Sequence, residues 1–252
     1  MTHTPRPLVV GNWKMHGVRE SLGEVTSICT AVAGGGAGEA EIVICPPATL
    51  LMAAAQICAD APVTLGGQYC HTQPSGPFTG DISAEMLKDA GASYVIVGHS
   101  ERRIGHNESN ASVREEAAAA FRAGLTAIVC VGETRAEREA GHALSVVGSQ
   151  LKGSVPKVLS LESLVIAYEP VWAIGTGLTP TPQDIAEMHR FIRGRINEQL
   201  LGQGDKIRIL YGGSVKPGNA EEVMGVDDVD GALVGGASLT AKDFMAIARV
   251  YR

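Results

Sequence analysis

The chain has 252 residues, 45% of them hydrophobic and 19% charged, enough for one or two domains with a sizeable core. Its net charge of −6 argues against a nucleic-acid or anionic-membrane partner, since both want a basic patch. Five cysteines without CxxC spacing argue against a disulfide framework or zinc site, and no apolar run approaches the ~20 residues of a membrane span.

Residues 1–11 carry prolines at 5 and 7 and no long apolar stretch, so no secretory signal is expected and the cytoplasm is the expected compartment. The first strand-like run is Leu8–Gly11, followed by Asn12-Trp13-Lys14. Gly34–Gly38 is glycine-rich and is expected to be a flexible surface connection to the second run, Glu41–Cys45. The third is Val63–Gly67. The segment Gly66–Asp81 has no helical period, and loops of such length are usually functional. A helical pattern over Ala84–Ala90 leads to the fourth run, Tyr94–Val97, and a helix over Ser109–Ala123 to the fifth, Ala127–Val131. A helix over Thr134–Leu151 and the sixth run, Leu164–Tyr168, come next. Thr181-Pro182 is a good helix start, with a capping hydroxyl before a first-turn proline, for a helix over Thr181–Leu201. The last runs are Ile207–Tyr211 and Gly231–Val234, with helical patterns over Pro217–Met224 and Ala241–Val250.

Most of these runs are apolar throughout rather than alternating. That is the pattern of strands buried on both faces, which are usually parallel. Eight strand–helix units in this length match a closed (β/α)8 barrel, expected to form one domain over residues 1–252. A doubly wound sheet is the rival architecture. It would carry a glycine fingerprint after the first strand, whereas Gly11 is followed by Asn12, Trp13 and Lys14.

Barrel sites lie at the carboxyl ends of the strands. Asn12 and Lys14 follow the first. His99, Ser100, Glu101 and Arg102 follow the fourth. Glu169 follows the sixth, between an apolar strand and Pro170 and Trp172, where poor hydration is expected to raise its pKa and make it a stronger base. Gly212-Gly213-Ser214 and Gly235-Gly236 follow the seventh and eighth, and their backbone N–H groups suit an anion such as phosphate. Pro170, Val171, Trp172, Ala173, Ile174, Gly175, Thr176 and Gly177 read as a lid with glycine at its far end. The histidines form no ligand spacing, so no metal is assigned.

Six motifs, in order along the whole chain, resemble the triosephosphate isomerase family. They are Gly11–Met15, Gly98–Arg103, Cys130–Thr134, Tyr168–Gly177, Tyr211–Ser214 and Gly231–Leu239. The resemblance implies a cofactor-free isomerase of triose phosphates. Glu169 would be the base, neutral His99 the electrophile, Lys14 the positive charge and Asn12 a donor. Ser100 and Glu101 would support them. Gly175, Ser214, Gly235 and Gly236 would hold the phosphate. The loop Gly66–Asp81 would interdigitate in a homodimer, with Thr79 reaching the partner's site and Asp81 meeting a neighbouring subunit's Arg102.

Three positions depart from the family pattern. Tyr69 stands beside Gln68 where asparagine is usual, and Asp81 replaces a glutamate. Pro180 lacks the N–H that in several members reaches the tyrosine equivalent to Tyr211, leaving Gly177 with Ser214 as the remaining latch. Two alternatives compete with this reading. A different phosphate-binding barrel isomerase has no need for Asn12, Lys14, His99 and Glu169 together. A non-catalytic barrel scaffold should have lost at least one of them.

Overall fold

The eight apolar runs pair in chain order, each parallel to the next, and the eighth returns to the first. In this computed structural model the strands are β1 (Leu8–Asn12), β2 (Glu41–Cys45), β3 (Val63–Gly67), β4 (Tyr94–Val97), β5 (Thr126–Val131), β6 (Leu164–Tyr168), β7 (Arg208–Tyr211) and β8 (Gly231–Val234). The structure describes residues 5–156, 163–174 and 179–252. Closure sets Leu8 through Gly11 of β1 against Gly231 through Val234 of β8.

The period of two explains why the runs are apolar throughout. Leu8, Val10, Val43, Ile96, Val165, Ala167, Leu210 and Leu233 belong to an inner cluster that fills the barrel. Their strand neighbours Val9, Ile42, Val95, Ile166, Ile209 and Val234 belong to the cluster shared with the surrounding helices. One further step along the inward row falls on Asn12, Glu169, Gly212 and Gly235. The alternation that packs the core therefore delivers these residues to the carboxyl-end rim.

The helices among the described residues are α1 (Leu22–Ala33), α2 (Ala48–Cys58), α3 (Ala84–Asp89), α4 (Ser100–Gly105), α5 (Asn110–Arg122), α6 (Arg135–Glu139), α7 (Ala143–Ser154), α8 (Pro182–Gln199), α9 (Ala220–Met224) and α10 (Ala241–Ala248). The expected start of α8 holds: Thr181 Oγ1 accepts from the Asp184 N–H, and Asp184 returns the bond to the Thr181 N–H. The single helix expected over Thr134–Leu151 is two. The chain turns through Gly141, at φ +75°, between α6 and α7. The expected helix over Pro217–Met224 is only α9. The side chain of Asn219 instead accepts from the Lys216 N–H and donates to the Ser214 carbonyl, forming a turn. The connection Gly34–Gly38 is not loose. Gly36 N–H bonds the Ala31 carbonyl, Ala37 is buried, and a side chain at Gly38 would strike the Tyr251 carbonyl. Helices α1, α2 and α4 add to those that the apolar spacing predicts.

The amino-end opening is closed by a polar cluster. Arg208 donates to Glu41 at 2.6 Å and to the Tyr94 hydroxyl at 2.9 Å, and that hydroxyl donates to Glu41 at 2.5 Å. Beside it, Arg193 pairs with Asp228 at 3.1 Å and Asp230 at 2.6 Å.

Candidate active site

Asn12, Lys14, His99, Glu169, Ile174, Ser214, Gly235 and Gly236 line one cavity of about 530 Å³ at the carboxyl ends of the strands. Eight separate sequence expectations thus meet in one place.

Lys14 is the strained member. Its φ is +54°, rare for a residue with a side chain. Neighbours fix it there. Its N–H bonds Asn12 Oδ1 at 3.0 Å, and Gln68 Nε2 donates to its carbonyl at 2.8 Å and to the Cys45 carbonyl at 2.9 Å. Trp13 Nε1 anchors the adjacent residue to the Ser238 carbonyl at 3.0 Å. The ammonium lies 2.6 Å from Glu101 Oε1. None of these hydrogen bonds involves Tyr69. Its ring lies under the Arg102 guanidinium, 3.6 Å from centroid to carbon.

Glu169 and His99 are both buried, and Glu169 Oε1 lies 2.9 Å from His99 Nε2. Glu169 also accepts from Ser100, through its N–H at 2.9 Å and its hydroxyl at 3.1 Å. His99 caps α4, its Nδ1 accepting from the Glu101 N–H at 3.2 Å. That bond assigns Nδ1 as an acceptor and places the ring proton on Nε2, facing Glu169.

The expectation of a raised Glu169 pKa is overturned here. Burial does push the carboxyl up, but the His99 ring and the two Ser100 donors outweigh it and hold Glu169 below the ordinary carboxyl range. Burial likewise pulls His99 down, and the facing Glu169 carboxylate outweighs it and moves His99 up. Only burial was visible in the sequence. The three donors come from another strand end.

The glycine turns after β7 and β8 both reach this cavity. A short 3₁₀ helix runs over Gly236–Leu239, directly after Gly235. A Cβ at Gly212 would lie 3.0 Å from the Glu169 Cγ, and one at Gly213 would clash with the Tyr211 hydroxyl. Lys216, Pro217 and Asp243, which belong to none of the six motifs, line the same cavity. Lys216 follows Ser214 by two residues, so proximity to that motif was an available signal.

The segment expected to be a lid begins on a buried carboxylate within the Cys130–Thr134 motif. Glu133 accepts from the Tyr168 hydroxyl at 3.1 Å, Trp172 Nε1 at 2.8 Å and Arg138 at 3.2 Å. Val171 N–H bonds the Glu133 carbonyl at 3.1 Å, after Pro170, and Ala173 is buried. Gly175, Thr176 and Gly177 lie outside the described residues, and so does the Gly177–Ser214 latch. Among the described residues the buried Tyr211 hydroxyl has no partner.

Thr79, Asp81 and Arg102 do not line the main cavity. Arg102 pairs with Glu108 at 2.6 Å and lines a second cavity of about 370 Å³ with Lys14, His99, Glu101 and Tyr69. Thr79 and Asp81 are exposed on the preceding loop. Among the described residues no cluster of His, Cys, Asp and Glu suits a metal ion, and no helix is long and apolar enough to cross a membrane.

A family model described as triosephosphate isomerase matches residues 7–251. A triosephosphate isomerase of Afipia carboxidovorans is 59% identical over 247 residues, 96% of each chain. One of Mesorhizobium japonicum is 58% identical over 252 residues, 100% of this chain and 98% of that one. The crystal structure of triosephosphate isomerase from Bartonella henselae superposes with a TM-score of 0.92 at 51% identity, covering 98% of this chain and 99% of the other.

Proposed function

The chain belongs to the triosephosphate isomerase family, and on that premise we propose that it interconverts dihydroxyacetone phosphate and D-glyceraldehyde 3-phosphate through an enediolate, with residues 1–252 acting as one catalytic domain. One observation carries the reading. A carboxylate and an imidazole 2.9 Å apart share a cavity with Lys14 and Asn12 on one wall and glycine-rich turns on another.

Proton abstraction next to a carbonyl needs a base and donors aimed at the oxygen that becomes negative. Glu169 is the base. It takes a proton from one substrate carbon and returns it to the neighbouring carbon. To do so it must give up its bonds to Ser100, and losing those donors in a closed, dry cavity raises its pKa. The burial expected from the sequence then acts at the step that needs it. His99, neutral and protonated on Nε2, polarises the carbonyl and passes protons between the two oxygens. Lys14 supplies positive charge to the enediolate, and Asn12 donates a hydrogen bond. The N–H groups of Gly175, Ser214, Gly235 and Gly236 hold the phosphate, which is how a chain of net charge −6 takes an anion. The lid over Pro170–Gly177 closes on the cavity, with Ile174 and Leu233 covering the base.

We propose further that the chain works in the cytoplasm as a homodimer, Thr79 and Asp81 reaching the partner. A coupled assay tests the reaction. Added D-glyceraldehyde 3-phosphate should appear as dihydroxyacetone phosphate, read by NADH oxidation through a glycerol-phosphate dehydrogenase. A folded protein with no turnover rules the reading out. Sedimentation and activity followed together on dilution test the dimer.

A further inference from the structure

Cys29 and Cys58 take no part in the site described above. Their Sγ atoms lie 3.5 Å apart, in contact between α1 and α2. All five cysteines are free thiols, but the two differ from the rest in access. Each is 7% exposed, whereas Cys45, Cys70 and Cys130 are completely buried. We propose that Cys29 and Cys58 are a peroxide-oxidisable pair that closes to a reversible disulfide clipping α1 to α2.

The geometry requires little movement. A disulfide needs sulfurs ~2.05 Å apart, so the pair must close by about 1.5 Å. Cys58 is the last residue of α2, where a helix end yields more readily than its middle. The step balances with a peroxide as the oxidant. One thiolate attacks a peroxide oxygen, an S–O bond forms, the O–O bond breaks and hydroxide leaves. The second sulfur then attacks the sulfenic sulfur, the S–S bond forms and water leaves. Two thiols lose two electrons in all, and one hydrogen peroxide becomes two waters. A small oxidant suits sulfurs with so little exposure. Burial, reinforced by the Cys29 thiol, pushes the Cys58 thiol up to about 12, so closure is slow at neutral pH and quickens as pH rises.

Both helices run from the carboxyl-end face towards the amino-end face, and Cys58 lies at the far end of its helix. The clip therefore acts on stability and leaves the catalytic cavity unchanged. The test is peroxide treatment of the full chain at mildly alkaline pH, alkylation, and digestion without reduction. The expected result is a peptide pair joining Cys29 to Cys58, lighter by two hydrogens, and lost on adding dithiothreitol. The Tm should rise by roughly 7–14 °C, as closing a loop of this length predicts, with kcat unchanged. Cys29→Ser and Cys58→Ser should each abolish both the cross-link and the rise. Both cysteines recovered as alkylated thiols, or either as sulfinic acid with no cross-link, overturns the proposal. A Tm rise that persists in either variant does so too. The peptide map of the unmutated chain decides the matter even if a variant fails to fold.

Discussion

At the amino ends of the strands, Arg208, Glu41 and Tyr94 bond one another at 2.5 to 2.9 Å, and Arg193 takes two aspartates. At the carboxyl ends, Lys14 is held at φ +54°, and Glu169 is buried beside a histidine with its charge balanced only by neighbours. The first region satisfies its charges among themselves. The second keeps strained or exchangeable groups in place, as the proposed reaction requires of bonds that a substrate takes over. One barrel thus separates the groups that hold the fold from the groups proposed to react.

The sharpest way to break this contrast is Glu169→Asp. It keeps the charge and withdraws the carboxylate by one methylene. We expect kcat to fall by about 10²–10³ with little change in KM, and the thermal melt to stay within a few degrees. A kcat equal to that of the unmutated chain removes Glu169 from the role of base. A large loss of Tm would show that the carboxyl-end face also carries stability.

Arg208→Met is the converse test. Removing one partner strands the Glu41 carboxylate, whose side chain is 24% exposed. Such a loss costs about 2–4 kcal/mol, which lowers Tm by roughly 5–10 °C in a domain of this size. Steady-state kinetics below the melt should show kcat unchanged.

Glu116 on α5 sharpens the comparison from a third place. It is buried, and its Oε2 has no partner among the described residues. Burial, and then the Glu108 charge, push it up to about 8. Its folded pKa lies above the unfolded value near 4.5, so the folded state prefers the protonated form. Its ionisation therefore costs stability as pH rises from about 4.5 to 8. Glu116→Gln should raise Tm by a few degrees at alkaline pH and by much less at acid pH, measured by melting across that range.

Glu41 gives the smallest effect, with the opposite sign. Burial pushes its carboxyl up, but the bonds from Tyr94 and Arg208 outweigh this and hold it below the ordinary value of 4.5. Its contribution is complete above 4.5 and is lost as pH falls through the lower folded value. In Glu41→Gln the acid limb of the Tm–pH curve should flatten by about a degree or two. An unchanged acid limb would mean that Glu41 gains nothing from its partners.

The fold was legible because the strands are short and buried on both faces, so their apolar runs stood alone between helical patterns. The carboxyl-end rim was legible for the same reason, since Lys14, His99, Glu169, Ser214, Gly235 and Gly236 follow their strands by one to three positions. Contacts between rim segments were not legible. The pKa expected for Glu169 took account of its own strand and missed Ser100. The strain at Lys14 is imposed by Gln68, from another strand end. The break at Gly141 was hidden because the apolar spacing runs on through it, and α1 and α2 were passed over because they carry few charges to mark their outer faces.

The hydrogen bond from Trp13 to the Ser238 carbonyl joins residues 225 apart. Synthesis at ~5–20 residues per second separates the two by roughly 10 to 45 s. During that time Asn12, Trp13 and Lys14 exist without the strand that closes over them, and one edge of β1 has no neighbour. That strand is only five residues long, a poor template for pairing with a stranger. Lys14 is among the first residues made and among the last to be locked in place.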